Sequence, residues 1–174
     1  MTKCCYIHFK PKAGRNCTDE SELHLNIQGF PIKKVNNTKF FGVIIDENLS
    51  WEPHVAALRR KLTYASATLY RIRDSVPKEL HCDLYHTLFE SHLTYCISVW
   101  GGANDNITSK VWTAQKHCMR VLFGDKKAYL DKFKTYAETR PYAGQTFGNE
   151  FFQLKHTKPL FKEHKIMAMQ NLYT

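Results

Sequence analysis

The stretch Phe40-Phe41-Gly42-Val43-Ile44-Ile45-Asp46-Glu47-Asn48-Leu49-Ser50-Trp51-Glu52-Pro53-His54 decides the fold class, because the hydrophobic period changes inside it. From Phe40 to Ile45 the residues are apolar on both alternating faces, the pattern of a buried strand. From Ser50 onward the signals are helical: a hydroxyl residue that can cap, then Glu52 and Pro53 in the first turn. Val55, Leu58, Leu62, Ala65, Leu69 and Ile72 follow at spacings of three and four, one face of an amphipathic helix. Upstream, Cys5, Ile7 and Phe9 alternate with Tyr6 and His8, and Leu23, Leu25 and Ile27 alternate up to the turn residues Gly29 and Pro31. Strands followed by helices predict an α+β protein: a small N-terminal antiparallel β-sheet joined to an α-helical module.

The helices extend well past this stretch. Pro77 opens a second one, with Leu80, Leu84 and Leu88 on one stripe; it continues through a kink to Trp100, where Gly101-Gly102 stop it. A third runs from about Asn106 to Phe123, with Ile107, Val111, Ala114, Cys118 and Val121 inward and Gly124 at its end. From Asp125 to Gly148 the period dissolves into a loop, and Leu160, Phe161, Ile166, Met169 and Leu172 mark one or two short helices that pack back. The expected regions are 1–48 (β), 49–124 (helical) and 125–174 (loop and short helices).

With 174 residues, 43% of them hydrophobic, the chain can bury a sizeable core. Lys+Arg 25 against Asp+Glu 16 gives a net charge of +9, and a pI of 9.3 points to a polyanionic partner, nucleic acid foremost. No run approaches the roughly 18 apolar residues of a membrane span, so no membrane partner is expected. The N-terminus turns polar too soon for a secretory signal, and the six cysteines form no C-x-x-C pair. Free thiols and an intracellular location, nuclear or cytoplasmic, are the expectation.

Catalytic chemistry finds little support in the residue pattern. Two-metal phosphoryl transfer needs converging carboxylates. Outside the Asp19/Glu20/Glu22 loop the only acidic pair considered is Asp46-Glu47, which reads as a solvated turn between strand and helix. Cys82 with His86, and His92 with Cys96, lie four apart and would share helix faces as zinc ligands do. Cys82, however, stands between Leu80 and Leu84, where a thiol is an ordinary small core residue, and no metal site is assigned. The basic residues say more. Arg60, Tyr64 and Arg71 fall opposite the apolar stripe of the first helix, and Lys116 and Arg120 fall opposite Ile107 and Ala114 on the third. Such faces suit a nucleic-acid backbone; the competing reading is an ordinary solvated surface.

Several phrases, occurring in one order, carry a family resemblance: Lys3 to Phe9, Phe40 to His54, Leu69-Tyr70-Arg71-Ile72-Arg73, Leu93 to Gly101, Gln115-Lys116 with Arg120, and Pro159-Leu160-Phe161-Lys162. Together they resemble the C-terminal part of the reverse transcriptase of a non-LTR retrotransposon of the jockey-like LINE type. The resemblance implies that the β region is the end of a polymerase palm and the helical module its thumb. It implies that Lys3 matches the lysine after the catalytic palm strands, and that Phe41 and Gly42 stand in the primer-grip turn. Cys96 stands where the family often has glycine. By the same resemblance, the catalytic Asp-Asp strand and the fingers lie before Lys3 in the parent polymerase, and Mg2+ is expected only there. The implied partners are an RNA/DNA template–primer duplex and the missing palm and fingers. The reading from a different class is a non-catalytic helical interaction or scaffold protein derived from a mobile element.

Overall fold

The computed structural model describes residues 4–9, 24–124 and 157–173. Lys3 and the expected loop from Asp125 to Gly148 lie outside them. The fold is α+β, and the chain divides into two compact units, Met1–Ala56 and Ala57–Thr174.

In the first unit the strands form three separate two-stranded ladders. β1 (Cys5–Tyr6) pairs with β4 (Lys33–Lys34), β2 (Asn26–Ile27) with β3 (Phe30–Pro31), and β5 (Asn37–Phe40) with β6 (Val43–Asp46). The last two are antiparallel as expected, whereas β1 and β4 run parallel. The apolar run Phe40 to Ile45 is not one buried strand. A two-residue turn falls inside it, with Phe41 at φ 43° and Gly42 at φ 80°, so that Phe40 pairs with Val43. Left-handed values at both central residues match the twist of a hairpin, and Gly42 adopts them without steric cost. Val43 and Asp46 are the two residues of β6 that are buried.

The buried Asp46 corrects the expectation of a solvated turn. Its two carboxylate oxygens accept the N–H groups of Ser50 and Trp51, each at 3.0 Å, and its carbonyl accepts the Leu49 N–H at 3.0 Å. Leu49 (φ 50°) and Trp51 (φ 63°) are both left-handed, a conformation that costs a non-glycine residue roughly 1–2 kcal/mol. Asp46 thus holds a strained connection in place. Burial pushes its pKa up, but hydrogen bonds from the Ser50 backbone and hydroxyl, and from the Trp51 and Asn48 backbones, outweigh burial and keep it below the ordinary value. The Ile44 N–H reaches His54 Nδ1 at 3.4 Å, and Ser50 Oγ accepts the Glu52 N–H at 3.3 Å where α1 (Glu52–Ile72) begins.

Of the predicted inward face of α1, Val55, Leu58, Leu62, Ala65 and Leu69 are buried and Ile72 is half-buried. The next helical stretch differs by one residue from its expected stripe. It opens with a 3₁₀ turn at Lys78–Leu80, continues as α2 (His81–Tyr85), widens into a π-turn at His86–Glu90 and ends as α3 (Ser91–Thr94). The buried face is His81, Tyr85, Phe89 and Leu93, while Leu80 is exposed. Residues four apart drift by about 40° per step on an α-helix, and the wider π-turn cancels part of that drift. The kink falls at Tyr95 and Cys96. Cys96, at φ 51°, starts α4 (Ile97–Trp100), and the buried Trp100 returns its indole N–H to the Tyr95 carbonyl at 3.0 Å.

α5 (Asp105–Phe123) starts on Asn104, whose side chain accepts the Asn106 N–H at 3.0 Å. At its centre Gln115, rather than the half-buried Ala114, is completely enclosed. Gln115 Nε2 donates to Tyr85 Oη at 2.9 Å and to the Met167 carbonyl at 3.0 Å, and its Oε1 accepts the Met169 N–H at 2.8 Å. One amide therefore fastens α5 to α2, to the segment that follows α6 (Lys158–Glu163) and to the first residue of α7 (Met169–Tyr173). The expected inward residues Phe161, Ile166 and Met169 are buried, and Leu172 is half-buried. α7 also fills the space above Gly101, where a Cβ would lie 2.5 Å from the Tyr173 ring.

Gln115→Met keeps the volume but strands a buried hydroxyl, a carbonyl and an N–H; chemical denaturation should show a loss of about 2–4 kcal/mol. Asp46→Asn should be destabilising near neutral pH. Because the folded pKa of Asp46 is depressed, its contribution is complete above the unfolded value and is lost as pH falls through the folded one. The stability gap between wild type and Asp46→Asn should therefore narrow as pH drops below about 4, measured by urea titrations across pH.

Candidate nucleic-acid interface

The outer face of α1 presents Arg60, Tyr64 and Arg71, all exposed, at positions i, i+4 and i+11 of one helix. Tyr64 is 77% exposed, unusual for an aromatic ring on a helix whose opposite face supplies the core. Arg59, Lys61 and Thr68 are exposed alongside, so the stripe is basic with one ring standing on it. Guanidinium groups and an open aromatic face are the groups that meet phosphates and bases or sugars.

In the first unit, the β5–β6 turn carries Phe41, 78% exposed, with Phe40 beside it at a ring-centroid distance of 4.5 Å in an edge-to-face arrangement. Gly42 is exposed next to them. Lys39 is also exposed, so the hairpin tip is an aromatic pair next to a cation. Lys3 lies outside the described residues.

The third helix departs from its expected basic outer face. Arg120 is buried, at 9% exposure, and desolvation lowers its pKa from the free value. Cys118, Met119, Arg120, Val121 and Leu122 are buried in succession, so the last turn of α5 is enclosed on all sides and has no outer face. The signal was available: the near-continuous apolar run from Cys118 to Phe123 is that of a helix end surrounded by protein. Lys116 is half-buried, its Nζ 5.3 Å from the centre of the Trp112 ring. Burial, and then the charge of Arg120, lower its pKa. The same two causes lower that of His117.

A further cation is spent on the fold. The Arg73 guanidinium donates to the carbonyl of Val121 and, at 3.3 Å, to that of Gly124, satisfying carbonyls at the C-terminal end of α5 that have no partner within the helix. Its own carbonyl is bonded to His81 Nε2 at 2.9 Å. The Cys82/His86 pair does not converge on a metal position: His86 is paired with Glu90, and the Cys82 Sγ meets His164 Nδ1 at 3.9 Å. Among the described residues no group of three or more His, Cys, Asp or Glu side chains is placed to hold a metal ion, and no helix is long and apolar enough to cross a membrane.

The chain is 25% identical over 101 residues to a probable RNA-directed DNA polymerase from transposon X-element of Drosophila melanogaster. It is similar to part of a transposon-encoded polymerase. The match covers 56% of this chain and 11% of that protein. No family model and no solved structure matches.

Because Arg60 and Arg71 lie on the surface and Arg120 does not, their substitutions should separate. Arg60→Gln and Arg71→Gln should each leave stability within about 0.5 kcal/mol, whereas Arg120→Gln should lower it by about 1–3 kcal/mol in the same denaturation experiment.

Proposed function

We propose that this chain is the primer-grip and thumb portion of a non-LTR retrotransposon RNA-directed DNA polymerase, and that it binds RNA/DNA template–primer duplex through backbone contacts. The observation that carries the reading is the exposed Arg60–Tyr64–Arg71 stripe on a helix otherwise committed to the core, in a chain similar to a transposon polymerase. A straight helix face with cations spaced along it can follow a phosphate backbone, and Tyr64 offers a flat surface against sugar or base. The exposed Phe41-Gly42 turn supports the primer-grip assignment, since a ring held at a tight turn can press on a nucleotide without any catalytic group. Metal-dependent nucleotide transfer would come from carboxylates of the rest of the polymerase; the thumb reading asks this chain only to hold the duplex.

A fluorescence-anisotropy titration of the purified chain with a labelled RNA/DNA hybrid tests the proposal. Affinity should show little sequence preference and fall steeply between 50 and 200 mM salt, as counterion release requires. The double variant Arg60→Gln/Arg71→Gln should reduce the slope of log affinity against log salt by about 2, at roughly 0.9 per phosphate contact. An unchanged slope would favour the scaffold reading, in which the stripe is only solvated.

A further inference from the structure

Lysines from two parts of the sequence flank the packing of α6 on α5. Lys116 lies over the Trp112 ring, and the same ring packs at 5.3 Å against Phe161 of α6. Phe161 faces inward and is buried, while Lys158 and Lys162, one turn apart on α6, and Lys165 just beyond its end are exposed. None of these four lysines forms an ion pair among the described residues. Glu163 is the one acid between Lys158 and Lys165.

The way α6 ends makes the placement of Lys165 informative. The Ile166 N–H donates to the Phe161 carbonyl at 3.0 Å and the Lys165 N–H to the Lys162 carbonyl at 3.4 Å, with Ile166 and Phe161 both buried. This is a Schellman ending, in which the residue at the left-handed position is most comfortably glycine. Lys165 occupies it at φ 53°. A long cation at a strained, exposed position does nothing for the core, yet it adds a third exposed ammonium to those of Lys158 and Lys162.

We propose that Lys116, Lys158, Lys162 and Lys165 form a second phosphate-contacting patch, which takes the backbone of the nucleic acid held by α1. The inference rests on the proposed duplex-binding function and adds a contact surface to it. Ammonium groups act as point charges toward phosphodiester oxygens and need no bidentate geometry, so a group of them gives affinity without sequence preference. The Trp112–Phe161 packing and the Gln115 clasp hold the patch in place before any ligand arrives, which reduces the entropy lost on binding.

The test compares Lys158→Gln/Lys162→Gln with the charge-matched double variant Lys33→Gln/Lys34→Gln, whose residues lie on β4 in the first unit, using the same hybrid titration. The α6 double should lower the salt slope by about 2 relative to wild type, and the β4 double should leave it near the wild-type value. Equal slopes for the two doubles overturn the inference and leave the α1 proposal standing. Failure of the wild-type chain to bind the hybrid overturns both. Tighter binding to phosphatidylserine vesicles than to the hybrid would overturn it in favour of a membrane surface. Lys165→Gly relieves the left-handed strain, so its melting temperature should equal or exceed that of wild type while its slope falls by about 0.9. A lower melting temperature with an unchanged slope would make Lys165 structural and remove it from the patch.

Discussion

A single buried amide organises the helical unit. Gln115 lies on a helix face otherwise made of Ile107, Val111, Cys118 and Leu122, and its three hydrogen bonds go to a phenol, a carbonyl and a backbone N–H. Neither a purely apolar residue nor an acid could satisfy this set, because two donors and an acceptor are needed at once. The amide makes packing specific: it fixes the position of the 167–169 segment along α5, where greasy contacts alone would tolerate sliding. The Trp112–Phe161 and Phe123–His164 ring contacts, the latter stacked at 3.8 Å, hold the same C-terminal segment at its other points.

Asp46 plays the corresponding part in the first unit, but with charge rather than an amide. A carboxylate receiving backbone N–H groups can compensate for left-handed residues that the chain would otherwise avoid, so the strain at Leu49 and Trp51 and the burial of Asp46 belong together. Both units therefore depend on a buried polar side chain used to set backbone geometry. Both side chains also fall within the phrases of the family resemblance, so part of what the resemblance carries is architecture rather than ligand binding.

Much of this architecture was legible in the sequence. The apolar spacing of α1 read directly as its buried face, and the switch from strand to helix near Ser50 was visible because capping chemistry is local. The errors arose where a nonlocal or rare device intervened. The hairpin inside Phe40 to Ile45 was hidden by hydrophobicity, although Gly42 marked it. The second helix buries His81, Tyr85, Phe89 and Leu93 rather than Leu80, Leu84 and Leu88: both stripes share a spacing of four, so the period could not choose between them, and the π-turn keeps Phe89 and Leu93 in line with the first two. Arg120 looked solvent-facing on a helical wheel, which assumes two sides; the end of α5 has only an inside. Of the candidate interface, Arg60, Tyr64 and Arg71 were readable from the wheel, whereas the lysine patch around Phe161 required the packing of α6 on α5.

The parallel pairing of β1 with β4 bears on the order in which the protein assembles. Its partners Cys5 and Lys33 are 28 residues apart, whereas the β2–β3 and β5–β6 ladders close across two-residue turns and α1 needs only neighbours along the chain. Closing a long segment for a two-residue ladder returns little enthalpy for the chain entropy lost, so this pairing should form after the local hairpins. It should also open first. Hydrogen exchange at Cys5 and Tyr6 would then be faster than in β6, and a strand with such shallow protection is one that another chain segment could displace without unfolding the remainder.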